Sequence, residues 1–435
     1  MSTRTNDAPI TLIAPGDAEY ELLRSTYTTV GSPAVVALPR SPAEVAAALR
    51  TARERELPVA VRSGGHGLSG SGTNNGGLVI DLRALDRIDV LDRAAGLVRV
   101  EAGARWAEVA RALAPHGLAI SSGDHGNVGV GGLATGGGVG WLVRHYGLTI
   151  DRIRAVEIVL PDGSFVRADA GHEPDLFWLM RGAGAGAGIA TAFEIEAAEI
   201  GQVGLVHLTT AVDPAGETLR QWEAAVAAAP RALSTAVTLT SRGPAATTAF
   251  ITAVVASDDP DLVRDSVTPL LDIGRAQVHE ARLVPYSAMV PLAHLHPNTG
   301  QMPSHTTNGL LTEMSPDAAR SLVVAASGPR PALVQLRSLG GAVGDVDPEE
   351  TAFAHRHQRT LVVASMFPPA DRADLTAAWE PVAAHSDGAY VNFESAPDDL
   401  TRAQAYPGRT GTRVEQLLRR YDPDGVLSPG GTQDT

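Results

Sequence analysis

A histidine sits at the tip of a glycine-rich turn in the stretch Val61-Arg62-Ser63-Gly64-Gly65-His66-Gly67, which ends an apolar run from Leu57 to Val61. A second glycine-rich segment reads Val128-Gly129-Val130-Gly131-Gly132-Leu133-Ala134-Thr135-Gly136-Gly137-Gly138. Glycine has no Cβ and tolerates positive φ, so the backbone N–H groups of both segments can approach a ligand closely. The pair predicts a site for a large phosphate-bearing ligand between two loops.

The second segment differs in its spacing from the dinucleotide-binding fingerprint. That fingerprint needs glycines at its first, third and sixth positions, between a strand and a helix. Counted from Gly129 the sixth position is Ala134, and counted from Gly136 it is Trp141. The spacing therefore argues against a Rossmann-type nucleotide site.

Composition excludes several classes of function. The 435 residues have a net charge of −14, with no lysine and no cysteine. Proteins that bind nucleic acid or anionic membranes concentrate basic residues, so neither partner is expected. Schiff-base, thiolate, disulfide and iron–sulfur chemistry are excluded because their side chains are missing.

Two observations bear on location. Residues 1–9 are polar and are not followed by the apolar segment of a signal peptide. No apolar run reaches the roughly 20 residues of a membrane span. We therefore expect a cytoplasmic protein.

Periodicity predicts an α+β protein. Ser41, Pro42 and Glu44 have the spacing of a helix N-cap, first position and capping-box acid, which predicts a helix to about Glu54. Short strands are expected at 34–38, 57–61, 78–82, 97–101, 151–160 and 165–168. Strands are then expected at 205–212, 236–240, 247–255 and 333–336, and helices near 216–228, 258–272 and 316–327. This pattern predicts a two-lobed domain over 1–200 and a domain with an antiparallel sheet covered by helices over 201–385. A further segment follows over 386–435, and we expect it to return to the first domain.

The two glycine segments resemble those of flavin oxidoreductases of the vanillyl-alcohol oxidase superfamily, in its berberine-bridge-enzyme-like branch. Further matches are Leu176-Phe177-Trp178-Leu179-Met180-Arg181-Gly182 and Ala389-Tyr390-Val391-Asn392-Phe393. The resemblance implies a PCMH-type FAD-binding domain with FAD bonded covalently to His66. Members with a second covalent bond carry a cysteine where this chain has His125, so attachment through His66 alone is implied. His125 is expected either beside the flavin edge or in a packing role.

The resemblance also implies which residues contact FAD. In the first segment they are Arg62, Ser63, Gly64, Gly65, His66, Gly67 and Ser69. Around the second they are His125, Val128, Gly129, Gly131, Gly132, Gly136 and Gly138, and elsewhere Ile153, Gly188 and Asn392. Ile153 falls at or next to the position that governs oxygen access in the family. The Asn-Phe pair that precedes the glycine at 188 in the family is replaced here by Gly186-Ala187.

The catalytic base is expected to be Tyr390, because the tyrosine of the Tyr-x-Asn match takes the substrate's hydroxyl proton in many relatives. A free phenol has a pKa near 10, so neighbours would have to assist it. The alternative is a tyrosine packed in the core. Some relatives carry a carboxylate on the strand after His355-Arg356, but residues 360–365 contain none. Gln335 and Arg337 are the other polar candidates, since two residues apart on a strand they share one face.

Three histidines, His294, His296 and His305, raise the question of a metal site. Their Pro- and Gly-rich surroundings contain no carboxylate cluster, so we expect a loop over the pocket and no bound metal.

The resemblance as a whole implies an FAD-dependent oxidase. Hydride would pass from a small-molecule alcohol, including a sugar hydroxyl, or from an amine to flavin N5, and O2 would reoxidise the flavin with release of H2O2. One rival is a flavin dehydrogenase that uses another electron acceptor. The other is a flavin-binding protein with a catalytically degenerate pocket.

Overall fold

The computed structural model describes residues 10–243 and 246–427. Residues 1–9, considered above for a leader, lie outside the described residues. The strands are β1 Thr11–Ile13, β2 Val35–Leu38, β3 Val59–Arg62, β4 Leu78–Asp81, β5 Ile88–Asp92, β6 Leu97–Glu101, β7 Leu118–Ala119, β8 Ile153–Val159, β9 Phe165–Asp169, β10 Ile189–Glu196, β11 Ala198–Glu199, β12 Gln202–Val212, β13 Leu233–Ser241, β14 Thr247–Val255, β15 Gln277–Pro285, β16 His305–Leu311, β17 Leu333–Ser338 and β18 Thr360–Met366. The helices are α1 Tyr20–Leu23, α2 Pro42–Glu54, α3 Trp106–Leu113, α4 Val130–Gly136, α5 Val143–Tyr146, α6 Pro174–Met180, α7 Glu217–Ala228, α8 Pro260–Leu271, α9 Pro316–Ser327, α10 Arg372–Ala383, α11 Asp399–Ala405 and α12 Arg409–Tyr421.

A small sheet positions the histidine turn. Its strand order is β1-β2-β4-β3, and β4 pairs in parallel with both β2 and β3. Helix α2 makes the crossover that parallel strands require. It begins as predicted, because Ser41 Oγ accepts a hydrogen bond from the Glu44 amide, while the Glu44 carboxylate reaches the Arg40 amide. The turn with His66 follows the carboxyl end of β3.

A second, antiparallel sheet has the order β5-β6-β10-β8-β9. It shares one continuous core with the first sheet, built from buried aliphatic side chains such as Ile80, Val100 and Ile158 together with Trp106 of α3. The two sheets and their helices form the two predicted lobes, with both glycine segments between them.

A seven-stranded antiparallel sheet has the order β15-β12-β14-β13-β17-β18-β16. One face packs on helices α7 to α10 through a core that contains Trp222, Leu322 and Leu375. Successive side chains of a strand point to opposite faces. Leu361 and Val363 of β18 accordingly join the core that holds the second glycine segment. This sheet therefore lies over the glycine segments.

The C-terminal helix α12 packs on α6. The Arg413 guanidinium lies 4.1 Å from the Trp178 ring centre, and its Nη2 is 2.9 Å from the Asp175 carboxylate. The end of the described chain is thus held against the lobe that contains α6.

The predicted α+β fold class is confirmed, and β14 and α9 have the predicted bounds. One local expectation was wrong. The second glycine segment is not a loop throughout, because Val130–Gly136 forms α4. Tyr390 directly precedes a 3-10 turn, Val391–Phe393. None of the helices in residues 10–243 and 246–427 is both long and apolar enough to span a membrane.

Candidate active site

The histidine turn and the second glycine segment touch through their main chains. A Cβ on Gly64 would lie 2.3 Å from the Gly129 amide nitrogen. Gly65 has φ +70°, a conformation that residues with a Cβ rarely adopt. Ser63 Oγ also accepts a hydrogen bond from the Gly131 amide at 3.3 Å. A side chain at Gly64 would separate the two segments.

Arg62 anchors the turn in the lobe beneath it. Its Nε donates to Asp81 Oδ2 at 2.9 Å and its Nη1 to the Ser25 carbonyl at 3.1 Å. Burial lowers the pKa of Arg62. Burial alone would raise the pKa of Asp81, but the guanidinium groups of Arg62 and Arg83 hold it below its usual value. The pair remains ionised, and the Arg62 side chain is committed to protein partners.

His66 lies in a cluster of aromatic rings. Its ring stacks on Tyr27 with centroids 4.3 Å apart, and the centroids of His125 and His294 are 4.8 and 5.9 Å away. Burial, followed by the charges of His125, His294 and Arg105, lowers the pKa of His66 to about 3. The imidazole is therefore neutral at physiological pH. Its Nε2 is buried and has no hydrogen-bond partner among the described residues.

A loop from the seven-stranded sheet's side of the molecule covers this cluster. Asn298 Nδ2 donates to the Gly64 carbonyl at 3.1 Å, and the Gly300 amide donates to the Thr26 carbonyl at 2.9 Å. Asn127 Nδ2 donates to the His294 carbonyl at 2.8 Å. The segment that carries His294 and His296 thus forms the loop that covers this cluster, whereas His305, expected in the same loop, is the first residue of β16. Within residues 10–243 and 246–427, no group of His, Asp and Glu side chains has an arrangement that could hold a metal ion.

The second glycine segment forms the floor under Tyr390. A Cβ on Gly136 would lie 2.5 Å from the Asn392 side chain, and one on Gly137 would lie 2.9 Å from the Tyr390 ring. At Gly138, where φ is +86°, a Cβ would lie 2.0 Å from Thr149 Oγ1. These three positions need glycine because neighbouring side chains fill the space beside them.

Tyr390 is held at its hydroxyl and at its main chain. Its Oη accepts hydrogen bonds from the Gly138 amide and from Asn392 Nδ2, both at 2.8 Å. The Asn308 side chain donates a hydrogen bond to the Tyr390 carbonyl and accepts one from the Tyr390 amide. Burial raises the pKa of Tyr390 to about 12, although the Gly138 amide, Asn392 and the nearby Arg337 each act to lower it. The phenol is therefore protonated at neutral pH and has one hydrogen left to donate.

The second catalytic candidate, Arg337, is paired with a carboxylate that the motifs did not reveal. Arg337 Nε and Nη2 donate to Asp124 Oδ2 at 3.1 and 2.7 Å. The guanidinium lies 4.8 Å from the ring centre of Phe393, which is itself 5.6 Å from the ring of Tyr390. The available signal for Asp124 was its place beside His125, directly before the second glycine segment.

Gln335, the third candidate, begins a row of side chains that crosses five strands of the seven-stranded sheet. The registered neighbours along this row are Gln335, Thr238, Phe250, Thr209 and Gln277. All five are uncharged, and Phe250 in the middle is 54 % exposed. The row leads from the Arg337 strand outward along the open face of the sheet.

The remaining predicted FAD contacts occupy varied settings. Gly132 lies in α4, and a Cβ there would meet nothing within 4 Å. Gly188 lies against β8, where a Cβ would be 2.6 Å from Ile158, and Ile153 is buried at the start of that strand. Val128 is half-buried, whereas Gly67 and Ser69 are exposed. The contact of these residues with FAD remains a prediction.

His355 and Arg356 serve the packing of the chain. His355 Nε2 lies 2.8 Å from the Gln404 carbonyl, and Arg356 pairs with Asp151 at 2.9 Å. Burial lowers the pKa of His355, so it is neutral at physiological pH. Both side chains therefore connect segments that are distant in the chain.

The residues present fit an FAD cofactor. Two glycine segments in contact provide main-chain N–H groups, and the His66 ring presents an unpartnered buried nitrogen at their edge. Unpaired buried polar atoms are rare in folded proteins and indicate a missing partner. His66 would hold the flavin covalently, and the two glycine segments would hold the remainder of the cofactor.

Comparison with known proteins agrees with this fit. The family model of an FAD-binding domain matches residues 33–169. (R)-6-hydroxynicotine oxidase of Paenarthrobacter nicotinovorans is 35% identical over 191 residues, which is 43% of this chain and 42% of that one. An uncharacterised FAD-linked oxidoreductase of Bacillus subtilis is 28% identical over 403 residues, 87% of this chain and 86% of its own.

A solved structure of glucooligosaccharide oxidase from Acremonium strictum superimposes with a TM-score of 0.86, covers 97% of this chain and 98% of its own, and is 21% identical. At that identity the match shows a shared fold. Together with the domain match over residues 33–169, the relatives that are named FAD-linked oxidoreductases identify the chain as an FAD-dependent enzyme.

Proposed function

We propose that the protein is an oxidase that carries FAD bonded to His66, takes hydride from an alcohol group of a small molecule, and returns the electrons to O2 as H2O2. The observation that carries the proposal is the placement of Tyr390 against the second glycine segment. Its hydroxyl is fixed by two N–H donors and keeps its own hydrogen for a third partner.

Covalent attachment is supported by the setting of His66. The ring is neutral, and its Nε2 is buried with no partner in the part of the chain that the structure describes, so a lone pair or N–H is available at the edge of the glycine segments. The solved glucooligosaccharide oxidase is described as containing a 6-S-cysteinyl, 8α-N1-histidyl FAD. This chain has no cysteine, so we infer a single bond through His66.

Bound FAD would supply the acceptor for the hydride of the substrate C–H bond. The residues of this chain would orient the substrate and move its hydroxyl proton. Tyr390 Oη is the group positioned for that transfer, because the Gly138 amide and Asn392 stabilise negative charge on the phenol oxygen. Arg337 adds a positive charge nearby, whereas Asp124 opposes it. Tyr390 can take this proton only as the phenolate, which the two N–H donors favour, after its own proton has passed to solvent.

The sheet face favours a neutral, hydroxyl-rich substrate. Asp124 neutralises the charge of Arg337, and the row from Gln335 to Gln277 offers hydroxyl and amide groups around one exposed ring, Phe250. Such groups bind hydroxyls, and an aromatic ring covers the apolar face of a sugar. We therefore place a sugar alcohol group ahead of an amine as the substrate.

Acid precipitation of the purified protein tests the attachment. Wild-type protein and the His125→Ala variant should keep their yellow colour in the pellet, with one FAD of added mass per chain. His66→Ala should release all FAD to the supernatant. Free FAD from the wild-type protein, or covalent FAD in His66→Ala, would refute attachment at His66.

A panel of oligosaccharides, simple alcohols and amines tests the chemistry. Anaerobic bleaching of the flavin identifies substrates, and peroxide formation in air identifies an oxidase. Bleaching without peroxide, and reoxidation no faster than that of free reduced flavin, would support the dehydrogenase. In that case Ile153→Val should speed reoxidation if Ile153 limits oxygen access. A flavin that no compound bleaches would support the degenerate binding protein.

A further inference from the structure

A small cavity lies where the second glycine segment meets the seven-stranded sheet. Its volume is about 10 Å³. Six polar side chains line it: Asp124 and Trp141 near the glycine segment, Ser234 and Thr235 on β13, and Arg337 and Ser338 on β17. The cavity thus joins the FAD-binding lobes to the sheet above them, beside the Arg337–Asp124 pair.

The polar groups around this cavity have unmet hydrogen-bonding capacity. Trp141 Nε1, Ser234 Oγ and Arg337 Nη1 are all buried without a hydrogen-bond partner among the described residues. Asp124 accepts both bonds from Arg337 through Oδ2, which leaves its Oδ1 available as an acceptor. Each unsatisfied buried group would cost roughly 1–3 kcal/mol. Three of them around one cavity indicate a common partner.

One water molecule could form hydrogen bonds with all of these donors and acceptors. A water can accept from Trp141 Nε1 and Arg337 Nη1 and donate to Asp124 Oδ1 and Ser234 Oγ. A cavity needs about 10–15 Å³ to hold a water, with two to four polar partners. An anion would be repelled by the Asp124 carboxylate, and a metal cation would face two N–H donors. Water is the occupant that satisfies all four groups.

We propose that these side chains hold one buried water and that, through it, Trp141 and Ser234 act as positioning residues for Arg337. Arg337 stacks on Phe393 next to the Tyr390 ring. Fixing all three guanidinium nitrogens, two by Asp124 and one by the water, would hold its charge beside the Tyr390 hydroxyl. The water site stands on its own, whereas its effect on catalysis rests on the proposed role of Tyr390.

A high-resolution crystal structure of the FAD-loaded enzyme tests the site. One water should lie within hydrogen-bond distance of Trp141 Nε1 and Arg337 Nη1 in the wild-type protein. In Trp141→Phe, which keeps most of the ring but removes the N–H, the water should be lost or Arg337 should shift. A wild-type cavity without a water would overturn the proposal, whatever the enzyme oxidises.

Anaerobic stopped-flow reduction tests the positioning role. Trp141→Phe and Ser234→Ala should each lower the limiting rate of flavin reduction roughly threefold to tenfold, the equivalent of one hydrogen bond, with substrate affinity unchanged. Because both variants disturb the same water, the double variant should lose less than the product of the single losses.

The matched control is Trp106→Phe. Trp106 Nε1 is also buried without a partner, but it lies in the core and does not line the cavity. Its reduction rate should stay within about twofold of wild type. Single variants at Trp141 and Ser234 that behave like this control, or losses that multiply fully, would overturn the positioning role. If no substrate reduces the flavin of the wild-type enzyme, that result would instead count against the proposed function.

Discussion

Tyr390 combines two properties that oppose each other. Burial raises its pKa to about 12, so at neutral pH the phenol is a poor base. Its oxygen nevertheless accepts two N–H hydrogen bonds, which favour the phenolate. The geometry thus keeps the proton in place at rest and stabilises the phenolate that must form before Tyr390 can accept a proton from a substrate hydroxyl.

Tyr390→Phe removes only the hydroxyl. General-base assistance contributes about 10²–10⁴-fold, so we expect the limiting rate of anaerobic flavin reduction to fall by about that factor. FAD loading should remain, because the ring and the Asn308 bonds to the main chain are kept. Stopped-flow absorbance of the flavin provides the measurement.

Tyr20→Phe is the control for this variant. Tyr20 is buried and donates to the Pro33 carbonyl at 2.7 Å, away from the site. It should lose about 1 kcal/mol of unfolding free energy with no change in reduction rate. Reduction of Tyr390→Phe at the wild-type rate would assign the base to another group, with Gln335, Arg337 and His125 next in order.

Helix α4 carries the glycines that the site requires. Glycine in a helix interior is destabilising relative to alanine, so its use in Val130–Gly136 needs a reason. At Gly136 the reason is the Asn392 side chain, which fills the space where a Cβ would lie. Gly132 has none within the protein, since a Cβ there would meet no described atom within 4 Å. A ligand lying against α4 would supply the reason.

Gly132→Ala therefore has opposite expected effects on two measurements. Apoprotein should gain about 0.5–1 kcal/mol in unfolding free energy from helix propensity. FAD content after reconstitution should fall, because the added methyl would occupy space that the cofactor uses. Urea unfolding and flavin absorbance provide the two measurements.

Gly201→Ala serves as the control. A Cβ at Gly201 also meets no described atom within 4 Å, but this residue lies directly before β12 and away from α4. Its FAD content should equal that of wild type. Full FAD loading of Gly132→Ala would show that α4 does not contact the cofactor at this position.

The lobes and the seven-stranded sheet are connected by a buried cation. Arg144 in α5 donates from Nε to the Leu339 carbonyl at 3.2 Å and from Nη1 to the Leu233 carbonyl at 2.5 Å. Burial, with a smaller effect of Arg231, lowers the pKa of Arg144 to about 10, so it stays charged at neutral pH. Two strands, β13 and β17, are thereby fixed against the segment that follows the second glycine run.

Arg144→Met should weaken the connection between the FAD-binding lobes and the seven-stranded sheet. The variant leaves the Leu339 and Leu233 carbonyls without their charged donor, and we expect a loss of about 2–5 kcal/mol. Calorimetry should show a lower melting temperature and a broader or split transition.

Arg93→Met is the control, because Arg93 pairs with Glu199 at the surface and such pairs contribute about 0–1 kcal/mol. An Arg144→Met transition as sharp and as high as that of Arg93→Met would show that the two parts of the molecule are held together elsewhere.

The sequence by itself determined the local features of this protein. The capped start of α2, the bounds of β14 and α9 and the exclusion of cysteine chemistry all depend on neighbouring residues or on composition. His66 and Tyr390 were each visible within a short motif. Such features were predictable because propensity, capping and strand alternation act over a few residues.

Only the tertiary structure decided how these features combine. The Gly138 amide meets Tyr390 Oη across 252 positions of the chain, and Asp124 meets Arg337 across 213. The water cavity needs Trp141 and Ser234 from different layers. Strand order and the packing of the sheet over the lobes set these contacts, because hydrogen bonds and charges act over a few ångströms, whatever the separation along the chain.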